Sequence, residues 1–156
     1  MKKIKGNDNT PLIELINNIN DVWVVRIKEG INEDGSVDFI QKEFNGQPPL
    51  IDIKEFIFEN LNSKCDEAIL NGLLYNNKSV WLSNENQQNY MRDLNLAVIT
   101  GGGNLPLVYK LSDEYVTISN INDLQSFNII ISNHINNTLL SYWYLKDNFD
   151  FNKYKI

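Results

Sequence analysis

Residues 71–90, NGLLYNNKSVWLSNENQQNY, carry the clearest local structural signals in the chain. Two short apolar runs, at 73–75 and 79–82, flank an Asn-Asn pair, and asparagine tolerates the positive φ that tight hairpin turns require. Ser83 then precedes an amide-rich run, and serine is a preferred residue at the amino-terminal cap of a helix. The stretch therefore predicts a structural joint in which a β-hairpin leads into a helix.

Helices are predicted on both sides of this joint. Apolar residues spaced three and four apart over 52–71 indicate a long helix with one buried face. A second helix should start after Ser83, and a third should cover 121–145 with Ser119 as its cap. The runs LVYKL and YVTI, at 107–111 and 115–118, predict a second hairpin between the last two helices.

The amino-terminal third is predicted to contain a helix and a hairpin. Thr10 and Pro11 precede LIELINNIN, and these two residues are typical of the cap and first position of a helix. The runs DVWVVRIK (21–28) and VDFIQKEF (37–44) are strand-like and flank an Asp-Gly turn signal. The first residues, MKKIKGNDNT, are expected to be a solvated start of the chain.

The predicted fold class is α+β, with three main helices linked by short β-hairpins and preceded by an amino-terminal helix and hairpin. The run NGQPPL breaks the pattern and suggests a boundary. We therefore expect residues 1–48 to form the helix and hairpin as a possible docking arm. Residues 49–156 should form the helix-hairpin-helix-hairpin-helix domain.

Composition narrows the function classes. A formal net charge of −6 argues against a general nucleic-acid binder and against adsorption to an anionic membrane. No stretch approaches the roughly 18 apolar residues of a membrane span, so no membrane partner is expected. The chain contains 25 asparagines together with abundant isoleucine, which a low-GC genome explains without any functional reason.

No residue pattern indicates catalytic machinery, a metal site or a cofactor site. Gly101–Gly103 lack the Lys and Ser/Thr of a phosphate loop, and a predicted strand follows them instead of a helix. Cys65, the single cysteine, lies beside acidic residues that disfavour its thiolate. His134, the single histidine, is expected on a helix surface and lacks the cysteines of an ordinary zinc site. No enzyme activity, metal or cofactor is therefore expected.

Aromatic and apolar residues are the remaining candidates for recognition. Trp81 and Trp143 lie in apolar patterns and are expected in the core. The amphipathic amino-terminal helix has two interpretations, a core-facing helix or an arm that packs on a partner. The candidate partner-binding residues are Ile13, Ile16, Trp23 and Val25.

The segment CDEAILNGLLYNNKSVWLSNENQQNYMRDL, residues 65–94, resembles a phage-borne domain of unknown function found in tail-fibre-associated and virion accessory proteins. The resemblance covers residues 50–147 and includes the later Leu105-Pro106 segment and the helix that contains His134. Its motif consists of caps, turns and core positions, and it departs from the family where Asn76-Asn77-Lys78 replaces a glycine turn. With the asparagine content, it suggests a low-GC phage of the crAss-like group.

This resemblance implies a non-enzymatic virion structural or accessory protein, an adaptor associated with a fibre, tail or head vertex. Its partners would be other virion proteins of the fibre, tail or capsid vertex, or further copies of itself. The expected location is the virion, and the host cytoplasm during assembly. Two alternatives stay open: a tail-fibre assembly chaperone that is absent from the mature virion, and a small host-directed effector or enzyme.

Overall fold

A computed structural model describes residues 1–155, which form three helices and eight strands. The chain divides into two compact units. The first contains Met1–Leu61 and the residues from Asn148 onward, and the second contains Asn62–Asp147. The elements are β1 (Lys2–Gly6), β2 (Ile13–Asn17), β3 (Val22–Ile31), β4 (Val37–Asn45), α1 (Leu50–Asn71), β5 (Leu73–Tyr75), β6 (Lys78–Val80), α2 (Asn84–Ile99), β7 (Leu107–Leu111), β8 (Glu114–Ile118), α3 (Ile121–Asp147) and a short 3-10 helix at Phe151–Tyr154.

The first unit is built on a four-stranded antiparallel sheet in the order β1-β4-β3-β2. Side chains alternate between the two faces of a strand, so Val25 and Ile27 lie on the same face. That face packs against the first half of α1 and the carboxyl-terminal 3-10 helix. The buried members of this core are Val25, Ile27, Ile53, Phe56, Ile57 and Tyr154.

The other face of the sheet buries a charge. The Arg26 side chain is 9% exposed. Its Nε donates to Gln41 Oε1 at 3.0 Å, while its Nη1 donates to the Pro11 carbonyl and to Glu14 Oε2, both at 2.8 Å. Because a buried guanidinium is costly unless its donors are satisfied, these contacts tie β2 and the segment before it to the centre of the sheet.

The predicted amino-terminal helix is wrong, because Ile13–Asn17 form the edge strand β2. Ile13 pairs with Val25 and Leu15 with Trp23 across the ladder. A helix of nine residues is marginal in isolation, and β-branched isoleucine packs well on a pleated surface, so strand pairing outweighs the local capping signal. Lys2, Lys3 and Lys5 are exposed, as expected for a solvated start, but the segment is not loosely held, because β1 pairs with β4.

The second unit packs two short hairpins against α2 and α3. Its core contains residues from both hairpins and both helices, including Leu73, Val80, Tyr90, Leu111 and Phe127. Tyr90 meets Phe127 edge-on with ring centroids 5.1 Å apart, and Tyr109 stacks on Phe127 at 5.6 Å. A two-stranded hairpin is barely stable alone in water, so this shared aromatic core is what makes both hairpins persist.

The predicted fold class is therefore wrong as a whole. Four strands precede the first helix and form their own sheet, which does not fit three helices joined by hairpins. One local detail also differs. Asn120, not Ser119, caps α3, because its Oδ1 accepts from the Asp123 N–H at 2.9 Å. The carboxyl-terminal tail belongs to the first unit, and Tyr154 is buried in its core.

Replacing Gly72 with alanine is expected to destabilise the second unit by about 1–3 kcal/mol, the usual range for overpacking. A Cβ at this position would lie 2.3 Å from the Ala68 carbonyl oxygen and 3.2 Å from His134 Cε1. The measurement is denaturant unfolding followed by far-UV circular dichroism. Gly30→Ala is the control, because a Cβ there meets nothing within 4 Å. Equal stability of the two variants would contradict the close approach at Gly72.

Replacing Tyr154 with phenylalanine is expected to change how stability depends on alkaline pH. Burial raises the pKa of Tyr154 to about 12, and its hydroxyl donates to the Arg26 carbonyl at 3.0 Å. Between about pH 10, where an unfolded tyrosine titrates, and about pH 12, the unfolded state binds fewer protons than the folded state. Stability therefore falls as pH rises through this window.

The Tyr154→Phe variant should lose less unfolding free energy across this window than the unsubstituted chain. It should nevertheless be about 0.5–1.5 kcal/mol less stable at neutral pH, because it lacks the hydrogen bond. Tyr115→Phe, at an exposed position, is the control and should keep the original pH dependence. An unchanged alkaline slope in Tyr154→Phe would count against a buried, proton-retaining Tyr154.

Candidate functional site

The joint predicted from residues 71–90 presents Trp81 on the surface of the second unit. Val80 and Leu82, its neighbours on either side, are buried in the core, while the Trp81 side chain is 56% exposed. Adjacent residues of an extended segment point to opposite faces, so burying Val80 and Leu82 turns Trp81 outward. The expectation that Trp81 is a core residue is therefore wrong.

A tight turn and two hydrogen bonds hold the backbone around Trp81. Asn76 and Asn77 adopt the left-handed conformation, with φ of 50° and 61°, which confirms the predicted turn between β5 and β6. Leu82 N donates to the Leu70 carbonyl at 3.0 Å, so the chain returns to the end of α1 after the hairpin. Ser83 then caps α2, because its Oγ accepts from the Asn86 N–H at 3.2 Å. Trp81 is thus exposed but held between fixed elements.

Two grooves share Trp81 in their walls. The first, which we call the helix-side groove, has a volume of about 640 Å³. The second, the hairpin-side groove, has a volume of about 390 Å³. The helix-side groove is lined mainly by Asp66, Ile69, Leu70, Asn84, Gln87 and Ile135, and the hairpin-side groove by Asn71, Ser79, Val80, Lys110 and Ser112.

The polar side chains of these grooves differ in how firmly they are held. Gln87 is fixed, because its Nε2 donates to the Leu82 carbonyl at 2.8 Å. Ser112 is fixed by hydrogen bonds to the Ser79 backbone, accepting from its N–H at 3.0 Å. The structure of residues 1–155 gives no hydrogen bond or ion pair to the side chains of Asp66, Asn71, Asn84 and Lys110. These four groups are available to a ligand.

A partly buried polar contact joins β7 and the loop before it to α2. The Tyr109 hydroxyl donates to Asp93 Oδ2 at 3.0 Å, and Asn104 Nδ2 donates to the Asp93 carbonyl at 3.1 Å. Burial, and then the hydrogen bond to Asp93, raise the pKa of Tyr109 far above its ordinary value. The phenol therefore remains a proton donor that locks β7 and the loop before it onto α2, which is a structural role.

A second exposed surface runs along α3, and we call it the α3 outer face: Ile129, Asn133, Asn136, Leu140 and Trp143. Its members follow a 4-3-4-3 spacing, so they line one side of the helix. Leu140 is 58% exposed and Trp143 is 53% exposed, which makes the expectation of a core Trp143 wrong. The buried residues Leu124, Phe127 and Ile131 lie on the opposite side of the helix.

The four residues predicted to bind a partner do not form one surface. Ile13 and Val25 face each other across the β2–β3 ladder, and Val25 is 0% exposed, so it is not available to a partner. Trp23 is partly buried, and its Nε1 donates to Asp21 Oδ1 at 2.8 Å. Ile16 is 47% exposed on the edge strand and is the member best placed for an external contact.

The single histidine, the single cysteine and the glycine run have structural roles. His134 is partly buried, and its Nε2 lies 3.1 Å from the Ala68 carbonyl, so it hydrogen-bonds the end of α1 instead of standing on an open surface. Burial first, and then Asp66, raise the pKa of Cys65, which suits an inert buried thiol. Gly101 and Gly102 adopt positive φ in the turn from α2 towards β7.

Residues 1–155 bring together no group of three or more His, Cys, Asp or Glu side chains able to hold a metal ion. In that range no helix combines the length and apolar character needed to cross a bilayer.

Comparison with known proteins finds no matching family model, no matching curated protein and no matching solved structure. The resemblance to a phage virion domain therefore stays a prediction. Sequence reasoning missed Trp81 as a surface residue, because Val80, Trp81 and Leu82 are all apolar and their order does not show which of them faces the core. It missed the α3 outer face because Trp143 lies in an apolar pattern and was expected in the core.

Proposed function

We propose that this chain is a non-enzymatic adaptor of a phage particle and that it docks another virion protein through the α3 outer face. The observation that supports this proposal is the exposure of Leu140 and Trp143 on the side of α3 opposite the core. Large apolar side chains in a row on one helix face are unusual on a free surface and are typical of helix packing against a partner.

The spacing of this face favours a helical partner. Positions 129, 133, 136, 140 and 143 alternate steps of four and three, which is the pattern of a coiled-coil seam. Asn133 and Asn136 occupy two of these positions, and polar residues in such a seam select the register of pairing at some cost in affinity. Trp143 would contribute most to the binding free energy, since tryptophan is enriched among the residues that dominate the energetics of interfaces.

The phage context of the proposal comes from the resemblance over residues 50–147. In that context the partner is a fibre, tail or capsid-vertex protein, and a second copy of the chain is the other partner that the same seam could accept. The protein would be found in the virion, and in the host cytoplasm during assembly. No cofactor enters the proposal, because docking requires only the apolar face and its asparagines.

Ile16 provides a second, smaller contact in this proposal. It lies on β2, an edge strand whose outer side has no neighbouring strand among residues 1–155. An exposed apolar edge strand is a site where another chain can pair. Of the contact set predicted from the sequence, Ile16 is therefore the residue we retain for a partner, whereas Ile13 and Trp23 are partly buried.

Photo-crosslinking from position 140 tests the docking face. Leu140 is replaced by a benzophenone amino acid in the full chain during infection, and exposed Gln88 on α2 is the matched control position. We expect one dominant crosslink to a virion protein from position 140 and none from position 88. Crosslinks confined to a second copy would assign the face to self-association, and identical patterns from both positions would contradict the proposal.

Counting the chain in purified virions tests its place in the particle. We expect a fixed ratio to the major capsid protein by quantitative mass spectrometry, because a structural adaptor occupies a defined number of positions. The value of the ratio would indicate vertex, tail or fibre. Abundance in infected cells combined with absence from particles would exclude the adaptor and favour an assembly chaperone.

A further inference from the structure

We propose that Trp81 and its two grooves bind a neutral oligosaccharide, with one sugar ring stacked on the exposed indole. This site is separate from the α3 outer face, and the proposal does not depend on the adaptor function. A pyranose ring has an apolar face of C–H bonds and a rim of hydroxyl groups. The surface around Trp81 offers complementary chemistry: one exposed aromatic ring between polar side chains.

The indole ring itself is the first part of the argument. More than half of the Trp81 side chain is exposed, although the backbone on both sides of it is buried and fixed. Within residues 1–155 no hydrogen bond involves its indole N–H, so both the ring face and the N–H donor are available. Because the backbone that carries the ring is already held, covering the ring with a ligand costs little backbone freedom.

The surrounding side chains supply the hydrogen bonds that sugar hydroxyls need. In the helix-side groove, Asp66 offers acceptors and Asn84 offers both a donor and an acceptor. In the hairpin-side groove, Asn71 offers both and Lys110 offers donors. A hydroxyl group both donates and accepts, so this mixture suits a polyol better than it suits an apolar ligand.

The presence of two grooves points to a chain of sugars. The helix-side groove of about 640 Å³ and the hairpin-side groove of about 390 Å³ both fall in the usual range of ligand sites, about 300–1,000 Å³. Trp81 belongs to both walls, so a sugar stacked on its ring would have neighbours in the two grooves. A hexasaccharide should therefore bind more tightly than the free monosaccharide.

A peptide fits this surface less well. Extended peptides add to a free strand edge, but the nearby edge of β6 is occupied where Ser79 N–H donates to Ser112 Oγ at 3.0 Å. Proline-rich peptides dock in grooves lined by several aromatic residues, and Trp81 is the single aromatic residue in either groove wall.

A polyanion is disfavoured by charge. The chain carries a net charge of −6, and Asp66 lies directly in the helix-side groove. Lys110 alone would have to offset this repulsion, whereas polyanion binding usually relies on several basic side chains. A neutral saccharide avoids this cost and still uses the hydrogen-bonding capacity of both residues.

The test uses the full chain with Trp23 and Trp143 replaced by phenylalanine, which leaves Trp81 as the single tryptophan. Neutral hexasaccharides of glucose, mannose, galactose and N-acetylglucosamine are titrated up to about 10 mM, enough to detect a Kd of about 1 mM. We expect at least one to shift the Trp81 emission, with its monosaccharide at least about tenfold weaker. Calorimetry on the unsubstituted chain should give the same ranking.

Variants then separate this site from the others. Trp81→Ala should weaken the best hexasaccharide at least about tenfold, and Trp81→Phe should retain part of the affinity. Trp143→Ala, on the α3 outer face, should bind it normally, and circular dichroism confirms the fold of each variant. An equal loss of hexasaccharide affinity in Trp81→Ala and Trp143→Ala would contradict a binding site at Trp81.

Two further outcomes would overturn the proposal. The first is that no hexasaccharide of the panel binds, and the second is that a neutral proline-rich peptide binds at Trp81 while the saccharides do not. Neither result bears on the crosslinking from position 140, because that experiment does not involve Trp81. Failure of the saccharide site and failure of the adaptor function are therefore distinguishable.

Discussion

The return of the chain to the end of α1 is the constraint on which the second unit depends. Leu82 N–H donates to the Leu70 carbonyl, so the chain that leaves α1 through the β5–β6 hairpin returns to the same helix terminus. His134 adds a bond from α3 to the Ala68 carbonyl. The last carbonyls of a helix lack partners within it, and here Leu82, just after the hairpin, supplies one to the Leu70 carbonyl. A hairpin with three-residue strands needs this attachment, since it is barely stable alone.

The exposed surfaces follow from this arrangement. Once Val80 and Leu82 enter the core, the alternation of an extended chain leaves Trp81 facing outward. Ser112 then occupies the neighbouring edge of β6, so the hairpin presents side chains and not a free backbone. The helical repeat has the same effect on α3. Because Leu124 and Phe127 are buried, Leu140 and Trp143 lie on the opposite side of the helix. The α3 outer face lies on a regular helix, whereas Trp81 lies in the short segment that joins β6 to α2.

The first unit is organised by a different requirement, the burial of Arg26. Its guanidinium can be buried only because Gln41, Glu14 and the Pro11 carbonyl accept from it. Glu14 reaches this position only if its segment runs as a strand beside β3. The capping signal of Thr10 and Pro11 is local and weak, whereas the ladder and the buried charge both require β2, so tertiary contacts prevailed over helix propensity.

Local sequence was sufficient for the positions of α1, α2 and α3, the Asn76-Asn77 turn and the Ser83 cap, because each depends on periodicity or on backbone preferences of a few residues. It was also sufficient to recognise that Gly101–Gly103 lack the residues of a phosphate loop. It was insufficient for β1 and β2, whose strand state depends on partners more than twenty residues away in β4 or about ten residues away in β3. The exposure of the candidate site could not be predicted from the sequence either. Trp81 and Trp143 are apolar residues in apolar patterns. Which side of their segments meets the core depends on packing between elements that are distant in the chain.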